Sequence, residues 1–551
     1  METNISPIAL LSLLKKIESV VGRVPSIRNG PRAVDLDIIF CGNDIMDTRS
    51  NKETPDDNLD GELVIPHPRV QEREFVLRPL NEYVFFFFPL QVFFSIDIHR
   101  LIHFKKKKSM IPDFIHPILQ KTVRSLLTEV FDPSVIPMNK VIPFPRLPIQ
   151  SWDGPFSKKI QPVPSTLTHW TYASDIPSRK KMKGMVHTNV MATLNVTPDS
   201  FSDGSLHNTL PASIAYVQES VAAGATIVDI GGYSSRPGSS FVSTEEELSR
   251  VLPAVQALRN PEMLRQYEEQ QHTSGLFSSS PPPPDITKRV LDTPLSVDTY
   301  RWEVAEAALQ AGANCINDIY AFTGPNHPPE EQEAKEYMTK MTAVARRYAS
   351  PVVLMHSRGD AKLNKDYTNY AYVGNGENDD DDGGGGGRFV EGVRVELGAK
   401  VEKVIKEGVR RWLVIADPGI GFSKPLQGNL EILREAVKIV ENVLIGDGKV
   451  IVNIISFQIL TFPLPSPLYL KEHKYRNPLA GFPLLIGVSK KSFLGYVLAS
   501  GPNARQTQAK DRTWATAAAV STSVQQNPLI VRVHDVREMM DVVNVTDAIW
   551  F

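Results

Sequence analysis

Cysteine is almost missing from this chain, with two residues in 551, Cys41 and Cys315. That count excludes a disulfide framework and a cysteine-built metal site, and it points to a reducing compartment. Neither sign of charge is in excess: 60 basic residues stand against 62 acidic ones, for a net charge of −2. The basic patch or tail of a nucleic-acid protein is therefore not expected. Long apolar runs are missing as well. The strongest, VFFFFPLQVFF at 84–94, is broken by Pro89 and Gln91 and followed by Asp97 and four lysines at 105–108. A bilayer span takes about 20 apolar residues, so no membrane anchor is expected. The opening METNISPIALLSLLKKIE has no basic leader and no small-residue cleavage site, and its apolar spacing predicts an amphipathic helix rather than a secretory signal. Zinc-ligand spacing and Ser-His-Asp or Cys-His arrangements do not stand out. DPGIGFSK at 417–424 does not fit the phosphate-loop pattern.

What remains is an ordinary globular composition, 42% hydrophobic and 22% charged. Length alone allows about three or four domains. Several stretches interrupt it: SSSPPPP at 278–284, NDDDDGGGGG at 378–387, the Phe- then Lys-rich 84–108, and Pro- and Lys-dotted sequence around 144–185. The prolines and the charge-glycine run predict loops, and 126–184 is expected to be an interdomain linker. From about 185 onward the pattern changes. Eight short apolar runs recur, most ending in a polar residue: VMATLN (190–195), TIVDI (226–230), PLSVD (294–298), NCIND (314–318), PVVLMH (351–356), WLVIAD (412–417), PLLIGVS (483–489) and LIVRVH (529–534). Continuous β-rich runs mark strands buried on both faces, as in parallel sheets. Helical segments fill the gaps; TYRWEVAEAALQAG (299–312) has apolar 3–4 spacing and a terminal glycine cap. Eight strand–helix units predict an α/β fold, a (β/α)8 TIM barrel over 185–551, with a doubly wound open sheet as the rival. The span exceeds the ~250 residues typical of such a barrel, and the low-complexity loops account for the excess.

The residues that end these runs carry the chemistry. Asn195, Asp298, Asn317, Asp417, Lys491, Arg532 and His534 lie at or just past strand ends, where the loops of a barrel converge on one mouth. Each has a structural reading when taken alone, such as a helix cap, a turn or a surface pair. Together they offer donors and acceptors for the edge of a flat, nitrogen-rich heterocycle. Lys491, Arg532 and His534, with Arg236, add cations for a phosphate-rich group. Asn195 offers a carbonyl oxygen to Mg²⁺. This set suits loss of diphosphate better than hydride or acyl transfer.

TLNVTPDSFSDG (193–204), DIGGYSSRPGS (229–239), LSVDTYRWEVAEAALQAGANCINDI (295–319), VVLMHSRG (352–359), IADPGIGFSK (415–424), LLIGVSKKSFLG (484–495) and LIVRVHDVREM (529–539) resemble dihydropteroate synthase, in the family's order and across the whole barrel. The resemblance implies condensation of 6-hydroxymethyl-7,8-dihydropterin diphosphate with p-aminobenzoate, the reaction that sulfonamides block. It places Asn195 on the Mg²⁺–diphosphate side and Asp298, Asn317, Asp417 and Lys491 around the pterin. Arg532 and His534 match the anion-binding pair, and Arg236 the second-loop arginine. Phe201, Ser235, Pro237 and Ser492 fall where the family builds its p-aminobenzoate pocket. Two departures stand out: the usual SRKS is SKKS, with Lys490 for arginine, and the usual threonine of STRPG is Ser235.

The amino-terminal part resembles another family. GRVPSIRNGPRAVDLDIIFCG (22–42) and LVIPHPRVQEREFVLRPLNEY (63–83) look like the C-terminal half of hydroxymethyl-dihydropterin pyrophosphokinase, a truncated α+β ferredoxin-like kinase fragment over 1–125. Asp35 and Asp37, alternate residues of one strand, share a face fit to hold Mg²⁺ between ATP phosphates. Arg23, Arg32, His67 and Arg73 match the family's basic residues around the transferred group. ATP is expected as a ligand only if the kinase domain is complete, and kinase activity is expected to be absent. The family's tryptophan before GPR is Asn29. A kinase sequence ahead of a synthase resembles the C-terminal part of fungal multifunctional folate-synthesis proteins, whose upstream aldolase is not found here. Residues 84–110 and 450–474 match neither family and are expected to be translated introns, which mature transcript would lack. The compartment expected is the cytoplasm, with a mitochondrial address left open, and a homodimer is the family's expectation. Rival readings are a pterin-binding barrel of the corrinoid methyltransferase kind and a non-catalytic truncated product.

Overall fold

The computed structural model describes residues 5–21, 36–50, 62–82, 114–130, 140–149, 164–197, 209–233, 241–274, 285–367, 387–441, 444–445, 475–500 and 503–551. The expected insertions 84–110 and 450–474 lie outside the described residues. Two compact units result, Met1–Met138 and Asn139–Phe551.

In the first unit the opening apolar spacing forms the expected helix, Pro7–Val21, with Pro7 at its start, where a missing N–H costs nothing. Met46–Asp47 and Val64–Ile65 pair antiparallel. The helices Glu74–Glu82 and Val123–Val130 pack through buried Val70, Leu77, Val123 and Leu126.

In the second unit every one of the eight apolar runs contains a strand. They are β1 Asn189–Asn195, β2 Ile227–Gly231, β3 Leu295–Asp298, β4 Cys315–Asp318, β5 Val352–Met355, β6 Val414–Asp417, β7 Leu485–Ile486 and β8 Ile530–Val533. All neighbours run parallel, in the order β6-β5-β4-β3-β2-β1-β8-β7. A parallel bridge between Ala416 and Leu484 brings β6 back to β7, so the sheet closes as a barrel.

Strand alternation then divides the labour. Val190, Ala192 and Leu194 of β1, with Val228 and Ile230 of β2, face outward into the main core beneath the helices. Met191, Ile227, Cys315, Val353, Ile415, Leu485 and Ile530 face inward and fill the amino end of the barrel. Ile142, Phe144 and Tyr172 join that inner cluster from an antiparallel hairpin, Lys140–Pro145 with Thr166–Tyr172. The hairpin arises within the stretch read as linker, and the buried Asn314 Nδ2 donates to Pro145 O at 2.6 Å, holding it to the start of β4. Burying each such large apolar side chain contributes roughly 1.5–3 kcal/mol. The barrel is thus packed shut at its amino end, which leaves the carboxyl end for chemistry.

The helix predicted over 299–312 runs Trp302–Ala311 and stops where Gly312 takes φ +116°. A Cβ there would lie 2.7 Å from Arg259 Cγ, so conformation and space both call for glycine. Among the described residues no helix is long and apolar enough to cross a membrane.

Candidate active site

The inward positions at the carboxyl ends of the strands are polar. Strand register aligns Asn195 with Gly231, Gly231 with Asp298, and Asp298 with Asn317, one row across β1 to β4. From β8, Arg532 reaches over this row. Its Nε donates to Asp229 Oδ2 at 2.6 Å and its Nη2 to Asp298 Oδ2 at 2.9 Å. Asn317 Nδ2 donates to the same Asp229 oxygen at 3.0 Å. Asp229, fully buried, is therefore the hub that ties Arg532 to Asn317. Sequence reasoning missed it, although its signal was present: in TIVDI it sits two residues from Gly231, on the same inward face.

The row continues through Val353 to Ile415, and Asp417 lies two residues beyond it on the inward face of β6. Its Oδ1 accepts the Gly419 N–H at 2.7 Å. Burial pushes its carboxyl up to about 6, against the Gly419 hydrogen bond and the charges of Lys491, Lys424 and Arg532. Asp298 is pushed up to about 7, by burial first and then by the Asp229 carboxylate, while Arg532 pulls the other way. A fifth of the Asp298 side chain stays open to solvent. These carboxyls can change charge near neutrality, as groups at functional sites often do.

The SKKS turn divides its two lysines. Lys491 Nζ lies 4.3 Å from the centroid of the Phe422 ring, a cation–π contact. Lys490, at φ +58°, instead reaches Asp535 Oδ1 at 2.7 Å. The departure from SRKS thus falls on the lysine bound to Asp535. Ser489 Oγ accepts the His534 N–H at 3.2 Å and lies 3.0 Å from His534 Nδ1. Asn195, half-buried, ends β1, and the exposed Ser492 opens the helix Ser492–Leu498. Phe201, Ser235, Arg236 and Pro237 lie outside the described residues.

In the first unit His67 Nε2 lies 3.9 Å from Asp37 Oδ2. Burial holds the imidazole below its ordinary range, with Asp37 acting in the opposite direction. Arg73 immediately precedes the helix Glu74–Glu82, its guanidinium 5.8 Å from the Phe75 ring. Arg23, Arg32 and Asp35 lie outside the described residues.

Among the described residues no three His, Cys, Asp or Glu side chains gather as a metal cage. Asn195 brings a single amide oxygen to the barrel mouth. That donor fits Mg²⁺, which keeps several waters and is usually bound through one or two protein ligands and substrate phosphates.

Comparisons with known proteins point to two families. The family model described as pterin binding enzyme matches residues 191–266 and 284–446, and that of 7,8-dihydro-6-hydroxymethylpterin-pyrophosphokinase matches residues 1–84. A dihydropteroate synthase of Synechocystis sp. is 34% identical over 363 residues, covering 66% of this chain and 90% of the relative. The folic acid synthesis protein fol1 of Pneumocystis carinii is 32% identical over 549 residues, 100% of this chain and 52% of that protein. A mitochondrial folate synthesis bifunctional protein of Arabidopsis thaliana is 30% identical over 553 residues, 99% of this chain and 72% of that one. The fold and the matching family model place the chain among pterin-binding barrel enzymes. The chain belongs to the dihydropteroate synthase family, with pyrophosphokinase sequence fused ahead of it. The corrinoid methyltransferase reading is not favoured. The chain spans about half the length of the fungal fol1 proteins it matches, 52% and 51%.

Proposed function

We propose that the barrel of this chain condenses 6-hydroxymethyl-7,8-dihydropterin diphosphate with p-aminobenzoate, forming 7,8-dihydropteroate and releasing diphosphate. The observation that carries this is the convergence of Asp298, Asn317 and Asp417 with Arg532 and Lys491 on the open end of a barrel of the synthase family. Asp417 accepts N–H donors from the pterin edge, and Asn317 and Asp298 hold its other polar atoms. Lys491, 4.3 Å from the Phe422 ring and acting on the Asp417 carboxyl, faces the ring system and its developing charge.

In the reaction the bond from the pterin methylene to diphosphate breaks, its electron pair leaving with oxygen. The lone pair of the aniline nitrogen then bonds the electron-poor methylene, and that nitrogen loses one proton. Fixed cations aimed at the departing oxygens are what such a step requires. Arg532 and His534 supply them from β8 and the turn after it. Arg236, Phe201, Ser235, Pro237 and Ser492 are assigned to the second-loop and p-aminobenzoate contacts through the family motif. Mg²⁺, held on the protein side by Asn195, would supply further charge neutralisation to the leaving diphosphate.

For the amino-terminal part the proposal is a set of contacts: Asp35 and Asp37 as Mg²⁺ ligands, and Arg23, Arg32, His67 and Arg73 around a phosphate group. Domain limits are proposed at 1–125 and 185–551 with 126–184 between them, in a cytoplasmic protein. A homodimer is also proposed, and the exposed Trp514 and Ile549, on the adjoining helices Thr513–Gln525 and Val536–Trp550, give it an apolar surface.

The test is direct. Purified chain with Mg²⁺, pterin diphosphate and p-aminobenzoate should release diphosphate and form dihydropteroate. Folded protein that forms none would falsify the reading.

A further inference from the structure

The loop 417–424 presents two parts of the site, the Asp417 carboxylate and the Phe422 ring, and both are fastened to one buried ammonium. Lys424 is 3% exposed. Its Nζ donates to Gly419 O at 2.9 Å and Phe422 O at 3.0 Å, and lies 3.0 Å from His356 Nδ1. Three acceptors thus meet three protons. Gly419 passes the restraint on, because its own N–H donates to Asp417 Oδ1. The carbonyl of Phe422 does the same for the ring beneath Lys491.

Behind the lysine stands a second restraint. An ammonium can only donate, so His356 Nδ1 must accept, and its Nε2–H must donate to Glu396 Oε2 at 2.8 Å. Arg358 holds the same carboxylate, its Nη2 2.5 Å from Oε1. Burial first, then the neighbouring Lys424 charge, pushes His356 down to about 3, which keeps the imidazole neutral and accepting. Burial raises Glu396, but the hydrogen bonds from His356 and Arg358 outweigh it and hold the carboxylate well below its ordinary range.

We propose that Lys424 is a positioning residue for the condensation, holding Asp417 and Phe422 in binding geometry, with His356 and Glu396 aiming its ammonium. The proposal rests on the synthase reading and deepens it. The charges facing Asp417 are Lys424 from its own loop, Lys491 after β7 and Arg532 from β8, with Asp229 and Asp298 behind that arginine. Burial pushes Lys424 down to about 7; Asp417 first and then Glu396 hold its charge, while Arg358 and Lys491 act with the burial. Removing the Lys424 charge therefore raises the Asp417 carboxyl further, and a protonated carboxyl loses an acceptor for the pterin edge.

Calorimetry of the full chain with pterin diphosphate, from pH 5 to 9, tests this. Lys424→Met should weaken binding at least about tenfold at pH 7 and move the acid limb of the affinity profile, near 6 in the parent, to higher pH. The KM for p-aminobenzoate should stay within about twofold. Lys424→Arg, which keeps the charge, should leave the acid limb in place. If Lys424→Met does not fold, Glu396→Gln decides instead: it removes one of the two anions that keep the ammonium charged, the other being Asp417, and should weaken binding most above pH 7. Parent affinity and an unmoved profile in a folded variant overturn the proposal. A parent chain that binds no pterin diphosphate overturns the synthase reading and this inference together; a competent parent with an indifferent Lys424→Met overturns this inference alone.

Discussion

Arg532 is the residue on which the site's charges balance. Two carboxylates, Asp229 and Asp298, share its guanidinium, and Asp229 Oδ1 has no hydrogen-bond partner of its own. A planar fork can reach both at once, which a lysine cannot. Arg532→Met should therefore cost more than binding. Breaking a buried pair by removing one partner costs about 3–5 kcal/mol, because the other charge stays behind. The urea midpoint of the second unit should fall accordingly, and an unchanged midpoint would show that Asp229 is held by Asn317 alone. Asp298 and Asp417 were legible in the sequence because each ends an apolar run, and Asn317 and Arg532 because they lie within two residues of such an end. Asp229 and Lys424 were not. Asp229 lies inside its run, one residue before the end, and only strand register shows that it faces the same space as Asn317. Lys424 ends DPGIGFSK, which does not fit the phosphate-loop pattern, and it has no other local signal. Its burial depends on His356 and Glu396, which are 68 and 28 positions away in the chain. Contacts of that kind leave no local pattern.

The element with least freedom is the turn after β6. Gly419 takes φ +67°, and a Cβ on it would lie 2.0 Å from the carbonyl oxygen of His356. Gly421 takes φ +86° and Ser423 φ +49°. Three left-handed residues within five positions coil the backbone around the Lys424 ammonium, and Gly421 N–H is fixed by Asn429 Oδ1 at 2.6 Å. Gly419→Ala meets backbone rather than a yielding side chain, so the turn must open. The strained φ alone costs of order 1–3 kcal/mol. Pterin diphosphate affinity should drop together with stability, in contrast to Lys424→Arg, and an alanine variant with parent calorimetry would show that the turn tolerates a Cβ. The strands themselves were the most legible elements, since all eight apolar runs hold one. The hairpin Lys140–Pro145 with Thr166–Tyr172 was the least: KVIPFP contains two prolines, and prolines in a short run argue against a central strand. The pairing is tolerated because the hairpin is a two-stranded ribbon with edges on both sides.

In the barrel as a whole, stability and chemistry sit at opposite ends. Phe144, fully buried, belongs to the cluster of Met191, Ile227, Cys315 and Ile530 at the amino end, whereas Asp298 and Asp417 lie at the carboxyl end. Phe144→Ala should lower stability by about 3–5 kcal/mol, as large-to-small core changes do. Affinity for pterin diphosphate should stay within about twofold in the folded variant. A large loss of affinity without loss of stability would contradict this division. The same arrangement answers why two cysteines and a balanced charge count said so little about function. Cys315 is core, and the basic residues that matter act as individuals, each matched to a carboxylate, a ring or a carbonyl.

The alternation of the barrel strands has a further consequence for how such a gene can change. Along β8, Val531 and Val533 serve the outer core while Arg532 serves the mouth. Deleting one residue from such a strand exchanges the two sets, placing valine among the carboxylates and arginine under the helices. Length variation is therefore barred within the strands, where a single codon lost destroys packing and catalysis at once. It is left to the connections between them, and that is where this chain carries its proline, aspartate and glycine runs.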